Sequence, residues 1–355
     1  MDDNTNSLAQ LTCPAPHPVK DTILLGHGSG GRLSAELMRS VFLPAFGNPV
    51  LDRLDDQAIV KVKDARLAFT TDSFVVKPLF FPGGDIGSLA VHGTVNDLAM
   101  GGATPLFLSV AFIIEEGLSI DLLRRVVDSL RAAAKNAGVQ IVTGDTKVVE
   151  KGCGDQLFIN TTGMGLVPDG LELSANRARP GDKVLLSGSI GEHGIAILAQ
   201  REGLEFECPV QSDSAALHNL VAAMLRANTG NAIRVLRDPT RGGASSTLNE
   251  IAEQSRVGIQ LQESAIPVRE EVRGACEMLG LDPLYVANEG KLIAIVAPQQ
   301  AEAVLNAMRS DPLGRKAQII GTVVESPSPI VTIRTELGTS RCVDMLAGDQ
   351  LPRIC

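Results

Sequence analysis

The 355-residue chain has no tryptophan and a single tyrosine, and aromatic residues make up only 3% of it. Stacking of bases on aromatic faces therefore has little to work with. No run of Lys and Arg appears, and the formal net charge of −9 opposes phosphate-backbone binding, which needs clustered cations to displace counterions. No nucleic-acid partner is expected. Long apolar runs are missing too. The longest, LFLSVAFII at 106–114, contains a serine and falls well short of the roughly 20 residues that span a bilayer, so no membrane partner is expected. The opening MDDNTNSLAQ is acidic and polar where a secretory signal is basic and then apolar. Cysteines are sparse and scattered at 13, 153, 208, 276, 342 and 355, with no C-x-x-C pair and no zinc spacing. Thiols used this way fit a reducing, cytoplasmic setting.

What is present is a globular composition, 44% hydrophobic and 21% charged, in a chain long enough for two cores. The order of elements predicts a mixed α/β, or α+β, fold in two domains. Residues 1–20 carry Pro14, Pro16 and Pro18 and read as a flexible arm. Residues 21–169 form a first domain, 170–337 a second, and 338–355 a mobile tail ending on Cys355. In the first domain, DTILLGHGSGGRLS predicts a short strand, a glycine loop and a helix. The β-rich runs around KDA predict a hairpin, because the joint is too short for a crossover helix. GSLAVHGTVNDLAMGG reads as a glycine-closed helix, and SIDLLRRVVDSLRAAAKNAG as an amphipathic one with Ser119 as its N-cap and Gly138 as its stop.

GHGSGG at 26–31 satisfies G-x-G-x-x-G, with Asp52 about 20 residues later as in a dinucleotide-binding fingerprint. The hairpin that follows breaks the βαβ unit such a fold needs. A plain flexible loop and a phosphate-covering loop of another fold both stay open, the latter because consecutive glycine N–H groups can approach a triphosphate closely. The carboxylates Asp55, Asp56, Asp72, Asp97, Asp145 and Asp238 each stand where a strand or helix gives way to a loop. Any one of them could simply cap its turn. Brought together, they offer the oxygen ligands that a Mg²⁺–nucleotide site requires.

LDDQAIV, TTDSFVV, GTVNDLAMGGATP, TGDTKVV and DPTRGG occur in this order, and the sequence around them resembles the aminoimidazole ribonucleotide synthetase superfamily. GHGSGGRLS, NEGK at 288–291 and the terminal PRIC narrow the resemblance to its hydrogenase-maturation carbamoyl dehydratases. That resemblance implies a homodimer formed through the first domain's sheet, with ATP and Mg²⁺ in a cleft between the domains. It implies metal ligation by Asp56, Asp72, Asp97 and Asp238, and nucleotide contacts from Gly28, Ser29, Gly30, Gly31, Asp55 and Asp145. It further implies that Cys355 receives a carbamoyl group from HypF, that ATP-dependent dehydration turns the thiocarboxamide into a thiocyanate, and that a HypC–HypD complex accepts the cyanide. Glu289 is the candidate base and Lys147 a candidate electrostatic partner. His27 and His92 lie close to these motifs and are expected to pack rather than react. The alternative reading is a small-molecule kinase or synthetase of the same superfamily with no role for Cys355.

Overall fold

The computed structural model describes residues 22–204, 209–346 and 353–355. The proline-bearing arm, Cys13, Cys208 and residues 347–352 of the tail lie outside the described residues.

The glycine loop enters through a 3-10 turn, Leu25–Gly28, in place of the expected short strand. Ile23 is 72% and Leu25 69% exposed, so their apolar side chains find no sheet to join. Helix α1 (Arg32–Leu37) runs through a π-turn into α2 (Leu43–Phe46). Strands β1 (Ala58–Val62) and β2 (Ala65–Phe74) form the expected hairpin. A two-stranded ribbon, β3 (Phe80–Phe81) and β4 (Gly84–Asp85), leads into helix α3 (Ile86–Met100). Asp85 caps α3 by accepting from the N–H groups of Gly87 at 2.8 Å and Ser88 at 3.3 Å. Strand β5 (Thr104–Glu115), helix α4 (Ile120–Ala137) and strands β6 (Gln140–Val149) and β7 (Leu157–Leu166) complete the first half. Gly138 ends α4 in the left-handed conformation; Ser119 starts it without a side-chain capping bond.

The first sheet runs β1-β2-β7-β5-β6, antiparallel except for the parallel β5–β6 pair. Helices α3 and α4 cover one face, burying Leu89, Val95 and Leu98 of α3 and Val126 and Leu130 of α4. The opposite face is open, with Phe69 and Ile113 exposed on it, and the edge strand β6 is exposed along nearly its whole length.

The second half contributes β8 (Lys183–Leu186), α5 (Glu192–Glu202), α6 (His218–Ala227), β9 (Ile233–Arg237), α7 (Gly243–Ser255), β10 (Gly258–Gln262) and α8 (Glu270–Leu279). It ends with β11 (Ile293–Val296), α9 (Ala301–Ser310), β12 (Gln318–Val324), β13 (Ile330–Arg334) and β14 (Ser340–Cys342). Its sheet runs β14-β13-β10-β12-β8-β11-β9. Strands β8 and β11 are buried on both faces, so they read as continuous apolar runs. Residues 340–342, counted with the tail in the sequence reading, belong to this sheet through pairing with β13. One apolar cluster joins the halves, with Leu98 and Met100 of α3 meeting Leu220 and Met224 of α6 and Val304 and Met308 of α9. Asn96 strengthens that joint by accepting from the Leu217 N–H at 2.8 Å. Among the described residues no helix is long and apolar enough to cross a membrane.

Candidate active site

Between the two halves lies a cavity of about 490 Å³. Asp56 enters it just before β1, Asp72 from the far end of β2, Asp97 from α3 and Asp238 from the residue after β9. Gly30 and Gly31 of the glycine loop line it, as do Glu289 and Cys355. Residues distant in the chain thus meet because four separate elements end at one rim.

Two loops press together at the mouth. Gly30 has φ +75°, and a Cβ there would stand 2.5 Å from the Cβ of Arg241; one on Gly31 would stand 2.4 Å from the Leu346 carbonyl. The loop is tied down by Arg32 N–H donating to Leu346 O at 2.8 Å and by the Arg241 guanidinium donating to Gly28 O at 3.1 Å. Gly28 and Ser29 lie outside the cavity lining, and the Ser29 hydroxyl donates to Gly26 O within its own turn.

The carboxylates are crowded and short of counter-charge. Burial pushes the Asp56 carboxyl well above its ordinary range; Arg237, 2.8 Å from its Oδ1, pulls the other way. Asp97 is likewise pushed well up by burial and by Asp238, Asp72 and Asp56, while the Thr70 hydroxyl donates to its Oδ2 at 2.7 Å. Asp72 is raised by burial against the pull of Arg241, and burial pushes Asp238 up to about 6 against Arg237. The Oδ2 atom of Asp56 and the Oε1 atom of Glu289 are buried with no hydrogen-bond partner. Such orphaned oxygens in a negative cavity are chemically suited to a hard divalent cation. Among the described residues no three acidic, His or Cys side chains are gathered into a ready-made metal cage. That suits Mg²⁺, which keeps several waters and takes one or two carboxylates together with nucleotide phosphates.

Glu289 reaches the cavity because its turn is held from behind. Asp213 accepts from the N–H groups of Glu289 and Gly290, each at 3.2 Å, and from Lys291 Nζ at 2.9 Å. A Cβ on Gly290 would lie 1.8 Å from the Asp213 carbonyl, so only glycine allows this approach. The Glu289 carboxyl is left free and is pushed well above its ordinary range by burial, Asp72 and Asp238. Burial also pushes the Cys355 thiol up to about 12, against the pull of Arg241.

Besides Gly28 and Ser29, three residues from the sequence reading are placed differently. The Asp55 side chain is taken up structurally, receiving the Ser174 hydroxyl at 3.0 Å, the Ala175 N–H at 3.1 Å and Arg53 Nε at 3.0 Å, although it borders the cavity. Asp145 and Lys147 do not line the cavity of their own chain. They sit on exposed β6 and pair with each other at 2.6 Å. His92 is half-buried against the Ser214 hydroxyl at 2.9 Å, and His27 bonds within its own turn. Cys276 packs in an apolar cluster with Val272 and Val286; Cys153 and Cys342 are exposed and away from the cavity. Sequence reasoning passed over Arg237 and Arg241, which carry the cations of the site. The signal was present in RDPTRGG, where an arginine flanks Asp238 on each side.

Two family models match the chain: AIR synthase related protein, N-terminal domain, over residues 54–167, and its C-terminal domain over residues 179–334. The carbamoyl dehydratase HypE of Azotobacter vinelandii is 61% identical over 329 residues, 93% of this chain and 96% of that protein. A HypE crystallised in a HypE–HypF complex superposes with a TM-score of 0.83 at 51% identity, covering 87% of this chain and 99% of the other. A HypE crystallised with ATP superposes with a TM-score of 0.79 at 52% identity, covering 94% of this chain and 100% of the other. With its carboxylates, its glycine loop and Cys355 in one cavity of this fold, the chain belongs to the HypE carbamoyl dehydratases, a branch of the AIR synthase related proteins.

Proposed function

We propose that this protein carries a carbamoyl group on Cys355 and dehydrates it to a thiocyanate at the expense of ATP, for the cyanide ligands of a hydrogenase iron. The observation that carries this reading is that Cys355 shares one cavity with Asp72, Asp97, Asp238 and Glu289. A kinase acting on a diffusible substrate has no use for a thiol there, which sets the alternative reading aside.

The overall change removes one water from S–C(=O)–NH₂ and leaves S–C≡N; the carbonyl oxygen departs with the transferred phosphoryl group and both N–H protons are lost. ATP supplies the phosphoryl group that makes the amide oxygen a leaving group, with Mg²⁺ neutralising the phosphate charge. Asp56, Asp72, Asp97 and Asp238 would hold the metal, and the glycine loop at Gly30 and Gly31 would border the phosphates. Asp55 and Asp145 are at most outer contributors, given their own partners. Glu289 takes the nitrogen proton, for which a buried carboxyl of raised pKa is suited. Arg241 remains charged beside Cys355, Glu289 and Asp72 and stabilises negative charge as the C–O bond breaks.

Cys355 is buried and its burial disfavours the nucleophilic thiolate, so we place its loading, by HypF as donor, outside this cavity and before its entry. Delivery to a HypC–HypD acceptor again requires exit. The open apolar face of the first sheet is the surface we assign to a second copy of the chain, with Phe69 and Ile113, 48% and 45% exposed, on it. On such a face Asp145 and Lys147 would meet the partner copy. The reading is tested by product balance. Carbamoyl-loaded protein should release one ADP and one phosphate per loaded Cys355, whereas Cys355→Ala should release none above background.

A further inference from the structure

We infer that the tail is docked by a specific clamp in which Asp155 and Arg201 hold Arg353 while His193 holds the carbonyl of Ile354, making these three the positioning residues that set Cys355 in the cavity. The inference rests on Cys355 being the carrier, and it concerns residues to which nothing above gives a role in the reaction.

The contacts converge on three consecutive tail residues. The Arg353 guanidinium forms an ion pair with Asp155, and its Nε donates to Val75 O at 3.1 Å. Its carbonyl receives Arg201 Nη2 at 2.8 Å and the Lys77 N–H at 3.3 Å. Arg201 also donates to Lys77 O at 2.9 Å, so a single guanidinium joins the tail to the segment beside it. The Val75 N–H donates to Cys355 O at 2.9 Å. Residues 75 and 77 thus each donate one backbone bond to 355 and 353, running in the antiparallel sense along the short segment that follows β2. Backbone pairing of this kind accepts any sequence; the ion pair with Asp155 requires a cation at 353. Arg353 also has φ +56°, so the segment is held in a left-handed turn that the clamp must maintain.

His193 has one arrangement that satisfies all its neighbours. Its Nε2 lies 2.9 Å from Ile354 O, which can only accept, so Nε2 carries the proton. Its Nδ1 then accepts from the Ser212 hydroxyl at 2.7 Å, and that hydroxyl accepts in turn from the Ser214 N–H at 3.1 Å. The imidazole is fully buried and neutral, with burial holding its pKa down. Between Ser212 and Ser214 stands Asp213, the residue that fixes the Glu289 turn. One short segment therefore sets both the grip on the tail and the placement of the candidate base. Ile354, 6% exposed, adds an apolar anchor in the cluster that includes Phe81, Ile197 and Ala287.

The test measures tail docking separately from catalysis. Full-length nucleotide-free protein is treated with iodoacetamide, and the rate of Cys355 modification is followed on its own peptide by mass spectrometry. Asp155→Asn and Arg353→Ala should each raise that rate about tenfold, and the double variant no further than Arg353→Ala alone, because the ion pair they share is already lost in it. His193→Leu should raise it as well, and His193→Gln, which keeps a donor, should restore part of the protection. Carbamoyl transfer onto Cys355 should survive in Asp155→Asn while the dehydration step slows. Wild-type alkylation rates in Asp155→Asn, a variant of a partly exposed residue that leaves the core intact, would overturn the clamp. Should the carrier reading itself fail, wild-type Cys355 would take no carbamoyl group while the alkylation differences persisted, so the two failures are distinguishable.

Discussion

A main-chain oxygen of Cys355 accepts a hydrogen bond from the N–H of Val75 at 2.9 Å, three residues beyond Asp72 on the same run of chain. The last residue of the sequence is thereby fixed to the strand that carries one of the candidate metal ligands. The consequence is that the thiol shares one cavity with the carboxylates.

Replacing Cys355 by Ala should leave ATP binding and melting temperature nearly unchanged, since loss of one small side chain at the cavity wall costs about 1 kcal/mol at most. The same variant should take no carbamoyl group. Substituting Cys153, Cys276 and Cys342 should leave loading intact; label found on any of these thiols would refute the assignment.

Asp97→Asn should lower ATP turnover by at least about a hundredfold, the loss typical of an electrostatic catalytic group. The fold should hold, because the amide oxygen can still accept from the Thr70 hydroxyl. Steady-state phosphate release at ordinary Mg²⁺ is the measurement, and near-normal turnover would remove Asp97 from the site.

Asp238 links the site to pH. Its folded pKa of about 6 stands above the ordinary 3.8, so its contribution to stability is fully present below pH 4 and is lost as pH rises through about 6. The difference amounts to on the order of 3 kcal/mol in nucleotide-free protein. Asp238→Asn should therefore be more stable than the parent at pH 8 and equal to it at pH 4, while losing activity. Melting curves at the two pH values decide it; a variant destabilised at pH 8 would contradict the electrostatic picture.

ATP should raise the melting temperature only with a divalent cation present, by linkage of binding to the native state. The crowded Asp56, Asp72, Asp97 and Asp238 repel a bare triphosphate. Equal stabilisation in chelator would argue against this metal assignment.

Much of this arrangement was legible in the chain. The hairpin at 58–74 followed from two β-rich runs with a joint too short for a helix, and α4 from its stripe and Gly138. Asp56, Asp72, Asp97 and Asp238 were marked by their place at the ends of elements, which is what lets them converge. The strand expected before the glycine loop failed because Ile23 and Leu25 have an apolar pattern without a partner strand. Asp55 stood beside Asp56 as an expected nucleotide contact, and only the fold shows it turned toward Ser174. The clamp was not legible at all, since Asp155, His193 and Arg201 lie in unremarkable sequence and meet Arg353 and Ile354 only through tertiary structure.

The central claim is that Cys355 both carries the group and presents it for dehydration. The most direct measurement is the intact mass of the peptide ending in Cys355 after incubation with carbamoyl donor and HypF, then with Mg²⁺ and ATP. The account predicts a gain of one carbamoyl group on that peptide, followed by the loss of one water that depends on ATP and is abolished in Glu289→Gln. A carbamoyl group that stays intact with ATP, or a water lost equally without it, would contradict the account.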